Sequence, residues 1–137
     1  LETQGVPVVG YRTDTLPSFY SIDSGLTVPH RFDSPDKIAE AFARQRDLGL
    51  AGGLLLCNPP PLDVALDRSR VDAWLEVAHE RAAQRGLRGA DVTPFILAQL
   101  VELSDGQSVV TNRALALNNA AVAAQVARAL ADIRRPS

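Results

Sequence analysis

Three asparagines, Asn112, Asn118 and Asn119, stand in an otherwise apolar, alanine-rich stretch with the character of a helix. Asparagine is a poor interior helix residue, because its amide competes for backbone hydrogen bonds. Three in one helix carry a stability cost that needs a reason. One reading is structural: the amides cap a helix break or bond to neighbouring loops. The other is chemical: a side-chain amide both donates and accepts, and so fits the edge of a planar polar ligand such as a nucleobase. On residue types alone both readings stand, the structural one as the default.

The remaining chemistry-bearing residues form no familiar constellation. His30 and His79 sit in no Cys/His metal spacing, so no zinc site is expected. His79 belongs to an Arg- and Glu-rich helix and reads as solvated; His30 follows Pro29 in a candidate strand and reads as structural. There is no G-x-S-x-G, Walker or dinucleotide glycine pattern, and Gly52-Gly53 is too sparse for a phosphate loop. Asp14 and Asp23 share one loop and could pair for glycosidase chemistry, yet surface loops carry such residues as a rule. Of 14 basic residues Lys37 alone is a lysine, so amine catalysis has one candidate here. Lys37 lies on the polar side of a capped helix, where a solvated role is expected.

The chain of 137 residues has the size of one domain and can bury a core. Its 46% hydrophobic and 22% charged residues are those of a folded chain. A net charge of -2 argues against a nucleic-acid binder, which shows a basic face, but leaves room for a small phosphorylated ligand. The single Cys57 allows no internal disulfide and fits a reducing compartment. No apolar run reaches the roughly 20 residues of a membrane span, and no secretory signal is recognised. The absence of methionine and an opening almost directly on a strand point to a segment of a larger protein.

The elements that must position these residues alternate. Val6 to Tyr11 and Leu26 to Phe32 read as strands interrupted by Pro7 and Pro29, and Gly52 to Asn58 as a buried strand. Asp33-Ser34-Pro35 starts a helix with Ile38, Phe42, Gln45 and Leu48 on its inner stripe, and Gly49 stops it. Pro59-Pro60-Pro61 is a stiff connector. Asp67 caps a helix from Arg68 to Arg85 with Val71, Trp74, Leu75, Ala78 and Ala82 inside. Thr93-Pro94 starts another, apolar nearly all round and therefore expected to be buried. A turn on Asp105-Gly106 leads into a helix from Val109 to Arg134 with a break expected near Asn118-Asn119; Arg134 and Arg135 suit its end. Helices around a buried strand call for a parallel or mixed sheet. The fold class is α/β: part of an α/β/α fold with a short mixed sheet flanked by helices.

Read in order, the chain resembles the C-terminal half of the pseudouridine-5'-phosphate glycosidases, the indigoidine synthase A-like family. The matching segments are Leu1-Glu2-Thr3 with Gly5 to Tyr11; Leu16-Pro17-Ser18-Phe19-Tyr20 with Ser24-Gly25; Gly52-Gly53 through Asn58-Pro59; Thr93-Pro94-Phe95; and Asn112 with Asn118-Asn119-Ala120. Arg12, Thr15, Pro60-Pro61 and Leu117 depart from the usual pattern without touching Asn112.

The resemblance implies that residues 1–137 form the C-terminal segment of such a domain. It implies reversible cleavage of the C–C glycosidic bond of pseudouridine 5'-phosphate to ribose 5-phosphate and uracil, through an imine between a lysine and the sugar. That lysine, an active-site glutamate and the aspartate that binds a manganese ion (Mn2+) belong to the N-terminal half, which this chain lacks; no metal ligand falls within it. Asn112 is the position that the resemblance makes catalytic, as a polar contact to substrate. Thr93, Asn118 and Asn119 match family motifs and are carried as substrate-binding candidates. A cytoplasmic homotrimer acting on a small molecule, without nucleic acid or membrane, is implied for the whole enzyme. The rival from another class is a stand-alone, non-catalytic binding module derived from that fold.

Overall fold

A computed structural model describes residues 3 and 5–134; Leu1 and Glu2 of the first matching segment, and Arg135, lie outside the described residues. The chain forms β1 (Val8–Tyr11), β2 (His30–Phe32), α1 (Pro35–Asp47), β3 (Leu55–Cys57), α2 (Arg68–Gln84), α3 (Val92–Leu103) and α4 (Gln107–Ile133). The named strands form one sheet in the order β2-β1-β3. Both pairings are parallel, with Val9 beside His30 on one side and Leu56 on the other. The mixed sheet of the expected fold class is thus corrected to a parallel one; among the described residues antiparallel pairing is confined to single bridges, Thr15 with Thr27 and Ser18 with Ser21. Pro7 and Pro29 cannot donate to a ladder, and β1 and β2 begin just after them.

Strand periodicity gives the sheet two faces. Tyr11, Phe32, Leu54 and Leu56 pack with Ile38 of α1 and with Val122 and Val126 of α4. The loop after β1 crosses the opposite face at Gly10. A Cβ there would collide with the carbonyl oxygen of Thr13 and press on Val28, so only glycine lets the loop lie this close. A second core forms where α2 and α3 lie together, with Val71, Ala78, Ala82, Ile96 and Leu100 around Tyr20 from that loop.

The helix signals act as their chemistry dictates. Ser34 accepts from the Lys37 amide ahead of Pro35, and Gly49 takes the left-handed conformation (φ 75°) beyond α1. Asp67 accepts from the Arg70 amide at 3.1 Å. Three expectations fail. Leu48 is 76% exposed and leaves the inner stripe of α1, where Ala39 and Ala43 are buried instead. Thr93 does not start α3: a 3-10 turn at Gly89–Asp91 runs into Val92, so Thr93 and Pro94 lie in the first turn of the helix. And α3 is not buried all round, since Leu97 and Val101 are 46% and 40% exposed.

Nor does α4 break at its asparagines; it runs unbroken for 27 residues. It is aimed by the turn before it. Asp105 and Gly106 are left-handed (φ 50° and 76°), and Ser104 accepts from the Ser108 amide at 3.1 Å, with both serines buried.

Candidate active site

Open parallel sheets bind ligands beyond the carboxyl ends of their strands. In this chain that end is marked by Arg12, Asp33 and Asn58, each following its strand directly. Helix α4 reaches it through its paired asparagines. Asn58 Nδ2 donates to Asn119 Oδ1 at 2.8 Å, and Asn118 Nδ2 donates to the Pro59 carbonyl at 3.3 Å. These amides bond to the β3–α2 connector rather than to their own backbone, which is why the helix continues through them. Asn119 keeps two donor hydrogens and Asn58 its carbonyl for another partner.

Thr111 fastens the same connector from further back. Its buried hydroxyl lies within hydrogen-bonding reach of the carbonyls of Val64 (2.5 Å) and Gln107 (3.2 Å). Asn112, next in sequence, turns the other way. It is exposed, and among the described residues its amide has no hydrogen-bond partner. Seven residues separate Asn112 from Asn119, two helical turns, so both lie on one face of α4, about 10 Å apart along the axis. Ala116 between them leaves that face open.

Thr93 lies elsewhere. It is exposed at the rim of a cleft of about 350 Å³ between α2, α3 and the loop carrying Phe19 and Tyr20. His79 lines the same cleft from exposed surface. His30 lines a cavity of about 400 Å³ that also includes Gly5, Pro7 and Leu54. That cavity sits at the amino end of the sheet, away from the asparagines. The structure therefore brings Asn118, Asn119 and Asn58 to one connector, sets Asn112 two helical turns from Asn119 on the same face of α4, and keeps Thr93 apart.

The other candidates have tasks of their own. Asp14 pairs with Arg31, which also holds Asp33 at 2.8 Å, while Asp23 accepts from the Gly25 amide at 2.6 Å. Lys37 pairs with Glu40 at 2.9 Å on the surface. Burial pushes the Cys57 thiol up from its usual range, so it stays protonated near neutrality and is a poor nucleophile. Among the described residues no three His, Cys, Asp or Glu side chains gather to hold a metal. The described residues of this chain therefore offer no fit to a manganese ion.

Two residues of this region carried faint signals. Asn58 directly follows a buried strand, and Thr111 is a polar residue on a buried helix stripe. Residue type alone does not say that either holds a connector.

The described residues thus define an open parallel α/β unit with side-chain amides gathered at the carboxyl end of its sheet. The chain belongs to the indigoidine synthase A-like protein family, whose model matches residues 1–129. It is 50% identical over 130 residues to a pseudouridine-5'-phosphate glycosidase of Herpetosiphon aurantiacus, covering 95% of this chain and 43% of that one. It is 44% identical over 127 residues to the enzyme of that name from Hahella chejuensis, covering 93% and 42%. The crystal structure of the prealnumycin C-glycosynthase AlnA in complex with ribulose 5-phosphate superposes with a TM-score of 0.89 at 33% identity, over 98% of this chain and 44% of that one. An indigoidine synthase A-like protein from Thermotoga maritima gives a TM-score of 0.80 at 29% identity, over 98% and 43%. The chain thus spans about two fifths of the length of these relatives.

Proposed function

We propose that this chain is the carboxyl-terminal part of a pseudouridine-5'-phosphate glycosidase, and that Asn112 contacts the substrate. The observation that carries the reading is the near-full-length identity to glycosidases of that name, 50% over 95% of the chain in the Herpetosiphon relative. The ribulose 5-phosphate bound by AlnA supports a sugar phosphate as ligand class. The reaction joins water with pseudouridine 5'-phosphate and yields ribose 5-phosphate and uracil. Its covalent step, an imine between a lysine and the sugar, is assigned to the part of the fold that this chain does not span; Lys37, the one lysine here, is an exposed residue of α1 paired with Glu40 on the surface. The manganese ion and the trimer are assigned to the whole enzyme in the same way.

Within the chain, Asn112 offers a donor and an acceptor to a planar polar edge such as uracil. It has the freedom for this because nothing among the described residues occupies its amide. Asn118 and Asn119 act beside it by holding the Asn58-Pro59 connector against α4.

The test joins this chain to the remaining length of the Herpetosiphon relative and follows uracil release from pseudouridine 5'-phosphate. Turnover by the joined protein, none by the chain alone, and a loss of at least tenfold in kcat/KM on Asn112→Ala are expected. Turnover by the chain alone overturns the division of labour. An unchanged kcat/KM in the Asn112→Ala variant overturns the role of Asn112.

A further inference from the structure

The face of α4 turned away from α1 is too apolar for a solvated surface. Val109, Arg113, Leu117, Ala120, Ala124 and Ala131 follow each other at helical spacing, and all are exposed. Val110 and Leu117 are 58% and 64% exposed and line a shallow hollow of about 320 Å³ with Val109, Arg113 and Ala114. Between Val109 and Ala131 the charged side chains are Arg113 and Arg128, with no carboxylate. A helix with one dry face carries charge on the other. Helix α2 obeys that rule in the same chain: Asp72, Glu76 and Glu80 form its outer side. Helix α4 does not, because its buried residues Thr111, Leu115, Val122 and Ala129 lie opposite a second apolar stripe. A helix apolar on both sides is built to be covered on both sides.

The relatives supply the occupant. They carry more than half of their length beyond the part this chain matches, which is 43% of the Herpetosiphon glycosidase. We propose that the exposed face of α4 is the seam on which that remaining part of the fold docks. The chemistry of the partner surface follows from the face. Alanines at Ala120 and Ala124 let a helix approach near the lower end of the usual 8–10 Å axis spacing. Arg113 and Arg128 stand 15 residues apart, about 22 Å along the axis, and call for carboxylates on the flank of that helix. Asn112 lies on the edge of the same face, so the partner that covers Leu117 also closes over Asn112. The proposal deepens the reading above and rests on it for the identity of the partner, but its test reads mass rather than turnover.

The chain, carrying a tag, is produced together with a polypeptide covering the remaining length of the Herpetosiphon relative, and the complex is weighed by sedimentation. A stoichiometric complex is expected. Leu117→Glu and Ala124→Glu place a carboxylate in the seam and should each weaken it by roughly a hundredfold or more. Both residues are exposed, so the thermal midpoint of the chain alone should not fall. Leu62→Glu, at a residue 81% exposed and off this face, should leave the complex intact. Absence of a complex with the unsubstituted chain overturns the proposal, and so does a complex that tolerates both seam substitutions. Self-association of the chain alone that Leu117→Glu abolishes also overturns it, since the face would then belong to a second copy. A bound complex without glycosidase activity leaves the seam standing and removes the functional reading instead.

Discussion

Replacing Asn112 with alanine should make the protein more stable. The side chain is exposed in the interior of α4 and has no hydrogen-bond partner among the described residues. The substitution therefore removes no contact that holds the fold. It exchanges a poor helix former for the best one, a gain of about 0.5 kcal/mol. Unfolding entropy near 2.1 cal/mol/K per residue gives about 290 cal/mol/K for 137 residues, so each kcal/mol moves the midpoint by about 3.5 °C. Asn112→Ala should raise Tm by about 2 °C in a calorimetric scan of the chain at neutral pH. Asn118→Ala and Asn119→Ala gain the same propensity but lose their bonds to Pro59 and Asn58. A net change of about 0 to 1 kcal/mol in the destabilising direction is expected for each. A fall of 1 °C or more for Asn112→Ala would refute the reasoning, because it would show a structural partner for the amide. A rise in stability joined to a loss of kcat/KM in the joined protein is the pattern of a residue kept for function at the expense of the helix.

Three further outcomes follow from the same geometry. Thr111→Val keeps the shape but leaves the Val64 carbonyl without its donor, and should cost about 1–3 kcal/mol in denaturant melts. Thr111→Ser keeps the hydroxyl and should cost less; equal losses would mean that the hydrogen bond contributes nothing. In a double-mutant cycle, Asn58→Ala and Asn119→Ala should couple by about 0.5–1.5 kcal/mol, whereas full additivity would show that their amides do not interact. Asp67 is held below the usual carboxylate range by the Ser69 hydroxyl first and then by the Arg70 amide. Its contribution is therefore complete above the unfolded value near 3.9 and is lost as pH falls through the lower folded value. Asp67→Asn keeps a capping oxygen, so its Tm deficit against the unsubstituted chain should shrink from pH 6 toward pH 2.5. A deficit that grows in acid would reverse the sign of the argument.

Much of the local structure is written in short-range chemistry. Ser34-Pro35, Asp67, Gly49 and Asp105-Gly106 mark helix ends because caps and left-handed residues act over three or four positions. Gly52 to Asn58 is recognisable as the place of a strand from its apolar run, but the strand shrinks to Leu55–Cys57 and only Cys57 of it is buried, Leu55 being 40% exposed. The family is carried by the order of the matching segments, from Gly5-Val6-Pro7 to Asn118-Asn119-Ala120. Other features depend on what packs against what. The start of α3 moved off Thr93 because a 3-10 turn supplied the first bonds, which propensity does not foresee. Helix α4 ran through Asn118-Asn119 because a connector some sixty residues away offers those amides better partners than their own backbone. Helix α3 is less buried than its composition predicts, because its apolar residues outnumber the surfaces that the described residues offer to cover them. The sequence by itself determined most of the helix caps, the main apolar stripes and the family, and marked Asn112, Asn118 and Asn119 as candidates. Only the tertiary structure separated Asn112 from its two companions, since all three are the same residue in the same helix and differ in what lies within reach of the amide.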